Sequence, residues 1–201
     1  VAQNPLGLNG IAFVEFSAQR PEFLERLFTN FGFAKVGHVD GDIDLFRQGE
    51  INFFVNKATD SFGSQFRALH GPSISSMGWR FQNPSQAFRD AAKRGARPFE
   101  GGDYKTRAGH RVPAIYGIGE SLIYFVNSLD DIDCTLTNKN QIPGKGFLKI
   151  DHLTNNVYKG TMGEWAAFYK NIFGFEEVRY FDIKGQKTGL TSYALRSPCG
   201  Q

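Results

Sequence analysis

The chain reads as an α+β protein built from repeated β-α-β-β-β units, with curled mixed sheets and helices on the outside. Three observations carry that reading. Alternating apolar runs are bounded by Gly-containing turns; helices open on Pro and close on Gly at a fixed interval; and two successive units end in matching words.

In the first unit, Gly10–Phe16 has a strand pattern. Pro21 then opens a helix at the position where its missing N–H costs nothing. Phe23, Leu24, Leu27, Phe28 and Phe31 recur at helical period, and Gly32 closes the helix. Strand-like runs follow at Phe33–Val39, Ile43–Gln48 and Ile51–Asn56, split by Asp40-Gly41 and Gly49-Glu50. The second unit repeats the plan. Met77–Gln82 is a strand, Pro84 opens a helix with Ala87, Phe88, Ala91 and Ala92 as its stripe, and Gly95 ends it. Pro84 to Gly95 is 11 residues, the same interval as Pro21 to Gly32. Gly49-Glu50 leads to Phe54-Val55-Asn56, and Gly119-Glu120 leads to Phe125-Val126-Asn127. Internal duplication explains both coincidences.

Asp130, Asp131, Asp133, Asn138, Lys139, Asn140, Pro143 and Gly144 mark a connection. A third unit follows, with a strand at Leu148–Asn155 and a helix at Glu164–Phe173 carrying Trp165, Ala166, Tyr169, Ile172 and Phe173. Strands are expected at Glu176–Ile183 and Thr188–Leu195, and a fourth is missing. The expected division is residues 1–135 as a domain of two units (about 9–57 and 75–128), 136–146 as a linker, and 147–201 as an incomplete unit of a second domain. On this count the 201 residues have the length of a piece. Two paired units would curl into an open half-barrel whose concave face is a natural small-ligand site.

Composition excludes several classes. A net charge of +3 from 23 basic and 20 acidic residues, scattered along the chain, makes no case for nucleic acid. No stretch approaches the roughly 18–20 apolar residues of a membrane span, and no basic n-region with an apolar h-region opens the chain. Cys134 and Cys199 imply neither a disulfide framework nor a metal clip, so a soluble cytoplasmic protein is expected.

The four histidines can be weighed singly. His38, His70 and His110 read as exposed or locally bonded residues of turns, helix ends and loops. His152 falls inside an expected strand, on the face of Ile150 and Thr154, and neither earlier unit has histidine at the equivalent place. It is either a metal ligand or a satisfied core histidine. Glu15, the other polar strand residue, reads as part of a solvated face. Lys93, Arg94 and Arg97 suit a helix C-terminus. No Ser-His-Asp spacing, GxGxxG, P-loop or HExxH occurs.

Specific runs carry a family resemblance. Lys149-Ile150-Asp151-His152-Leu153-Thr154-Asn155-Asn156-Val157-Tyr158, the helix around Trp165-Ala166-Ala167-Phe168-Tyr169, and Val178-Arg179-Tyr180-Phe181-Asp182-Ile183-Lys184-Gly185 with Thr188-Gly189-Leu190-Thr191-Ser192 resemble bacterial 4-hydroxyphenylpyruvate dioxygenases. Asn4-Pro5-Leu6-Gly7-Leu8, Leu45-Phe46-Arg47-Gln48-Gly49 and Val112-Pro113-Ala114-Ile115 extend the likeness through the first half. The family belongs to the vicinal oxygen chelate superfamily of paired β-α-β-β-β modules. The resemblance implies a structural N-terminal domain and a catalytic C-terminal domain with one non-haem Fe(II), held by two histidines and a glutamate. His152 matches the first histidine, Ser192 matches a serine lining the substrate pocket, and the other two ligands fall beyond residue 201. It further implies a small aromatic 2-oxo acid and O₂ as substrates, homogentisate and CO₂ as products of tyrosine catabolism, and a homodimer or homotetramer. With one ligand, the 201 residues alone are expected to be inactive, with Fe(II) absent or weakly bound. The competing readings are a 4-hydroxymandelate synthase and a metal-free binding protein of the bleomycin-resistance type.

Overall fold

A computed structural model describes residues 3–137 and 142–200; Asn138, Lys139 and Asn140 of the expected connection lie outside the described residues. The first unit forms β1 (Leu8–Ser17), α1 (Pro21–Asn30), β2 (Ala34–Val39), β3 (Ile43–Gln48) and β4 (Ile51–Asn56). Pro21 starts α1 as expected, and Gly32 follows it at a φ of 83°, a left-handed conformation that suits glycine. After α2 (Phe62–His70) the plan recurs as β5 (Ser73–Phe81), α3 (Pro84–Lys93), β6 (Pro98–Phe99), β7 (Ala114–Tyr116) and β8 (Leu122–Val126). A short β9 (Thr135–Leu136) pairs with β2.

These strands form one sheet in the order β6-β7-β8-β5-β1-β4-β3-β2-β9. Each unit has the same internal order, its first strand parallel to its last, and the units join where β1 runs antiparallel to β5. The sheet stays open, with β6 and β9 at its edges. The two faces of β1 go to different cores. Val14 packs with Met77, Trp79 and the α3 residues Ala87 and Ala91. Phe13 packs on the opposite, inner face with Leu45, Phe54, Tyr104 and Tyr124. Among the described residues no helix is long and apolar enough to cross a membrane.

Several expectations change. The helix stripe of the first unit is only partly core: Phe28 is buried, but Phe23, Leu27 and Phe31 are about half exposed, because the sheet meets one side of α1. The inner face is not an open ligand site. Tyr104, from segment 100–113 between β6 and β7, fills it. No strand forms over 148–155, where the chain is irregular. A strand needs a neighbour for its N–H and C=O groups. β10 (Glu176–Lys184) and β11 (Gly189–Arg196) pair only with each other among the described residues. The third helix starts two residues before the expected Glu164, as α4 (Met162–Phe168), and continues into a π-helical turn over Tyr169–Phe173. That turn buries Tyr169, Ile172 and Phe173 against Trp79 and Phe81 on the outer side of the second unit.

An ion cluster around the buried Asp44 carboxyl ties β3 to its neighbours. Asp44 Oδ2 lies 2.7 Å from Lys35 Nζ and 2.5 Å from Lys57 Nζ, and Lys57 Nζ is 3.6 Å from Glu25 of α1. Burial pushes the Asp44 carboxyl up, but the hydrogen bonds and charges of the two lysines outweigh it and hold the group below the ordinary aspartate value. A depressed carboxyl contributes stability above its unfolded value and loses it as pH falls through the folded value. Asp44→Asn should therefore cost about 1–3 kcal/mol at neutral pH. In thermal melts its gap from the parent protein should narrow near pH 3; a gap independent of pH would contradict this assignment.

Candidate functional site

The polar centre of the first two units is on the inner face of β1. Glu15 is fully buried there, correcting the solvated-face expectation. Tyr104 Oη donates to Glu15 Oε2 at 2.5 Å, and Ser75 Oγ donates to Oε1. Ser75 reaches it because the β1–β5 register shifts between Glu15 and Phe16. Burial, then the nearby Asp103 charge, raise the Glu15 carboxyl from 4.5 to about 7 against the hydrogen bonds of Ser75, Tyr104 and Asn56. Asp103 is differently placed. It accepts from the backbone N–H of Phe62 at 2.8 Å and of Gly63 at 3.1 Å, and from Asn56 Nδ2 at 3.0 Å. Both carboxyls are thus met by hydrogen-bond donors, a structural arrangement unlike a cation site, which needs open lone pairs.

The described histidines do not converge. His38 Nδ1 accepts from Gly41 N at 3.1 Å, His70 stacks on Phe66 at the end of α2, and His110 is exposed in the 100–113 segment. His152 sits in the irregular stretch with its side chain 76% exposed and Nδ1 2.7 Å from Asp151 Oδ2. It is therefore not a core strand histidine. Ser192 is in β11 opposite Phe181, half-buried. Facial Fe(II) ligation needs two imidazoles and a carboxylate converging on one side. No group of three His, Cys, Asp or Glu side chains among the described residues meets that demand. The residues present do not fit a complete iron site. Cys134 and Cys199 are free thiols.

A surface cleft of about 480 Å³ lies between the start of α3 and the loops at Thr106–Ala108 and Asn127–Asp131. Two of its polar residues serve the fold: Asp131 Oδ2 accepts the Asn127 N–H, and Asn127 Nδ2 donates to Phe81 O at 3.1 Å. The site residue that sequence patterns misplace is Glu15. The available signal was a carboxylate on the same strand face as Phe13, in a strand apolar enough to be central.

Comparison with known proteins fits this architecture. Residues 2–140 match the family described as hydroxyphenylpyruvate dioxygenase, HPPD, N-terminal. The chain is 49% identical to protein MelA of Shewanella colwelliana, over 98% of this chain and 58% of that protein. It is 43% identical to the 4-hydroxyphenylpyruvate dioxygenase of Legionella pneumophila, over 98% of this chain and 57% of that protein. The chain therefore spans under two thirds of these relatives. A solved xylose isomerase-like TIM barrel/4-hydroxyphenylpyruvate dioxygenase fusion protein superposes with a TM-score of 0.79 at 30% identity, covering 98% of this chain and 32% of that one. Repeated units, strand order and the match over 2–140 lead to one conclusion: this chain belongs to the hydroxyphenylpyruvate dioxygenase N-terminal family.

Proposed function

We propose that these residues serve an Fe(II)-dependent dioxygenase that converts 4-hydroxyphenylpyruvate and O₂ to homogentisate and CO₂. The observation that carries the reading is the 43% identity to a 4-hydroxyphenylpyruvate dioxygenase across 98% of this chain, well past residue 140. In this reading residues 1–135 are a supporting domain, 136–146 a linker, and 147–201 the first part of the catalytic domain. His152 supplies one iron ligand, Ser192 lines the substrate pocket, and the remaining ligands come from outside the 201 residues. The protein works in the cytoplasm as a homo-oligomer.

The local geometry of His152 supports its assignment. A ligand histidine needs one ring nitrogen fixed by a partner and the other free. Asp151 Oδ2 at 2.7 Å from Nδ1 suits a proton on Nδ1, which leaves the Nε2 lone pair for a metal. Asp151 is a positioning residue in this scheme.

The test uses the longer protein, loaded with Fe(II) and assayed for O₂ uptake and product. Homogentisate is expected, His152→Ala should lose both iron and turnover, and Asp151→Asn should weaken iron binding about 10–100-fold. Hydroxymandelate as product would transfer the assignment to the synthase. A His152→Ala protein with full iron content would remove His152 from the site. The 201 residues alone should show no tight stoichiometric site in anaerobic Fe(II) titration, and finding one would overturn that part.

A further inference from the structure

Segment 100–113 enters the inner face of the sheet chiefly through Tyr104. Its ring lies 5.1 Å from Phe13, 5.2 Å from Phe54 and 4.9 Å from Tyr124, centroid to centroid. Its hydroxyl ends on Glu15, while the preceding residue, Asp103, holds the N-terminus of α2 through Phe62 and Gly63. Two carboxyls thus share one enclosed place without being equivalent. Asp103 accepts from three N–H donors. Two of the partners of Glu15 are hydroxyls, Ser75 and Tyr104, which can donate or accept. Full burial beside the Asp103 carboxylate makes Glu15 the member of the pair that takes up a proton, against those two hydroxyls.

The groups facing Glu15 come from every neighbouring element: Ser75 of β5, Asn56 of β4, Asp103 and Tyr104 of the segment, and Tyr124 of β8. Burial keeps both tyrosines neutral, well above their ordinary value. On α2, Arg67 spends its guanidinium on Ser17 Oγ, Asn56 O and Ala58 O. The movable side of this assembly is the segment. β1 is flanked by strands on both sides, whereas the segment hangs from the two-residue β6 at the sheet edge. It starts at Gly101-Gly102, with Gly102 at a φ of 116°, and is a local hairpin held by the Lys105–Arg111 bridge, Thr106 N–H to His110 O, Gly109 N–H to Thr106 O and Val112 N–H to Tyr104 O, tied outward by Asp133 N–H to Lys105 O and Asp103 N–H to Tyr124 Oη.

We propose that residues 100–113 form a proton-controlled latch: Tyr104 and Asp103 seat on the inner face while Glu15 is protonated. Ionisation of Glu15 beside Asp103 releases them and bares an aromatic recess of Phe13, Phe54 and Tyr124. The sign follows from linkage. The seated state holds the Glu15 proton up to about 7, whereas hydrated Glu15 in the released state has its ordinary value of 4.5. A raised carboxyl contributes its full stability below the ordinary value and loses it as pH rises to the folded one. Release therefore grows about tenfold per pH unit across that window and levels off above it.

Hydrogen–deuterium exchange on the 201-residue protein, corrected for the intrinsic pH dependence of exchange, tests this. Protection of 100–113, Phe62 and Gly63 should fall about tenfold per pH unit between the two values and then flatten. Amides of β1 and β8 should not follow. Glu15→Gln should abolish the slope. Tyr104→Phe keeps the ring but removes a donor that favours the carboxylate, so the levelling-off should move to higher pH. A flat profile in the parent, an equal slope in β1 and β8, or a slope retained in Glu15→Gln would overturn the latch. If Glu15→Gln does not fold, an unmoved levelling-off in Tyr104→Phe overturns it.

Discussion

Gly78→Ala is expected to cost about 3 kcal/mol, the upper end for overpacking a core, and to lower the melting temperature by roughly 6–12 °C. Gly78 of β5 is directly opposite Phe13 of β1. A Cβ at position 78 would lie 2.1 Å from Phe13 Cε1 and 2.3 Å from Cδ1. The ring has no room to yield. It is fully buried, with Phe54 and Tyr104 each 5.1 Å away and Tyr124 at 6.1 Å. Phe13→Leu in the Gly78→Ala background should recover part of the loss, a coupling visible in a double-mutant cycle. A melting temperature unchanged by Gly78→Ala would show that β1 and β5 do not meet in this register.

Phe173→Ala should cost about 3–5 kcal/mol, as truncation of a fully buried aromatic does. Its ring is 4.8 Å from Trp79 and 5.9 Å from Phe168, with Phe81, Phe125 and Phe175 each at 6.4 Å. The loss should be local first, since Phe173 joins the π-helical turn to the first sheet. Residues 162–175 should lose exchange protection and the emission of Trp79, buried with its Nε1 unpartnered among the described residues, should shift to the red. Simultaneous loss across β1–β4 would instead make the chain one cooperative unit.

The sequence signals that worked were local. Pro21 and Pro84 open their helices, and the Asp40-Gly41 and Gly49-Glu50 turns bound β3 where alternation places it. Sequence periodicity does not single out α2, which is short and carries Gly63, although Ser61 and Ser64 form a capping box and Phe62 and Phe66 are one turn apart. Segment 148–155 has strand-like alternation, but pairing is a property of two segments, and the described residues offer it none. Glu15 fails for a related reason. Its burial depends on Tyr104, 89 residues away, and no local pattern reports a contact of that span. Comparison of the units singles out His152 whether or not the surrounding strand forms.

The central place of β1 has a cost during synthesis. Its ten residues are made before either neighbour, and Leu8 must wait for Phe81, while Val14 waits for Phe53. At about 5–20 residues per second, the nascent strand carries two unpaired edges for several seconds. Its apolar stretch Ile11–Phe16, broken only by Glu15, is the part a chaperone would have to cover. On the ribosome Glu15 is a hydrated charge in the middle of that stretch, guarding against mispairing until Tyr104 is made.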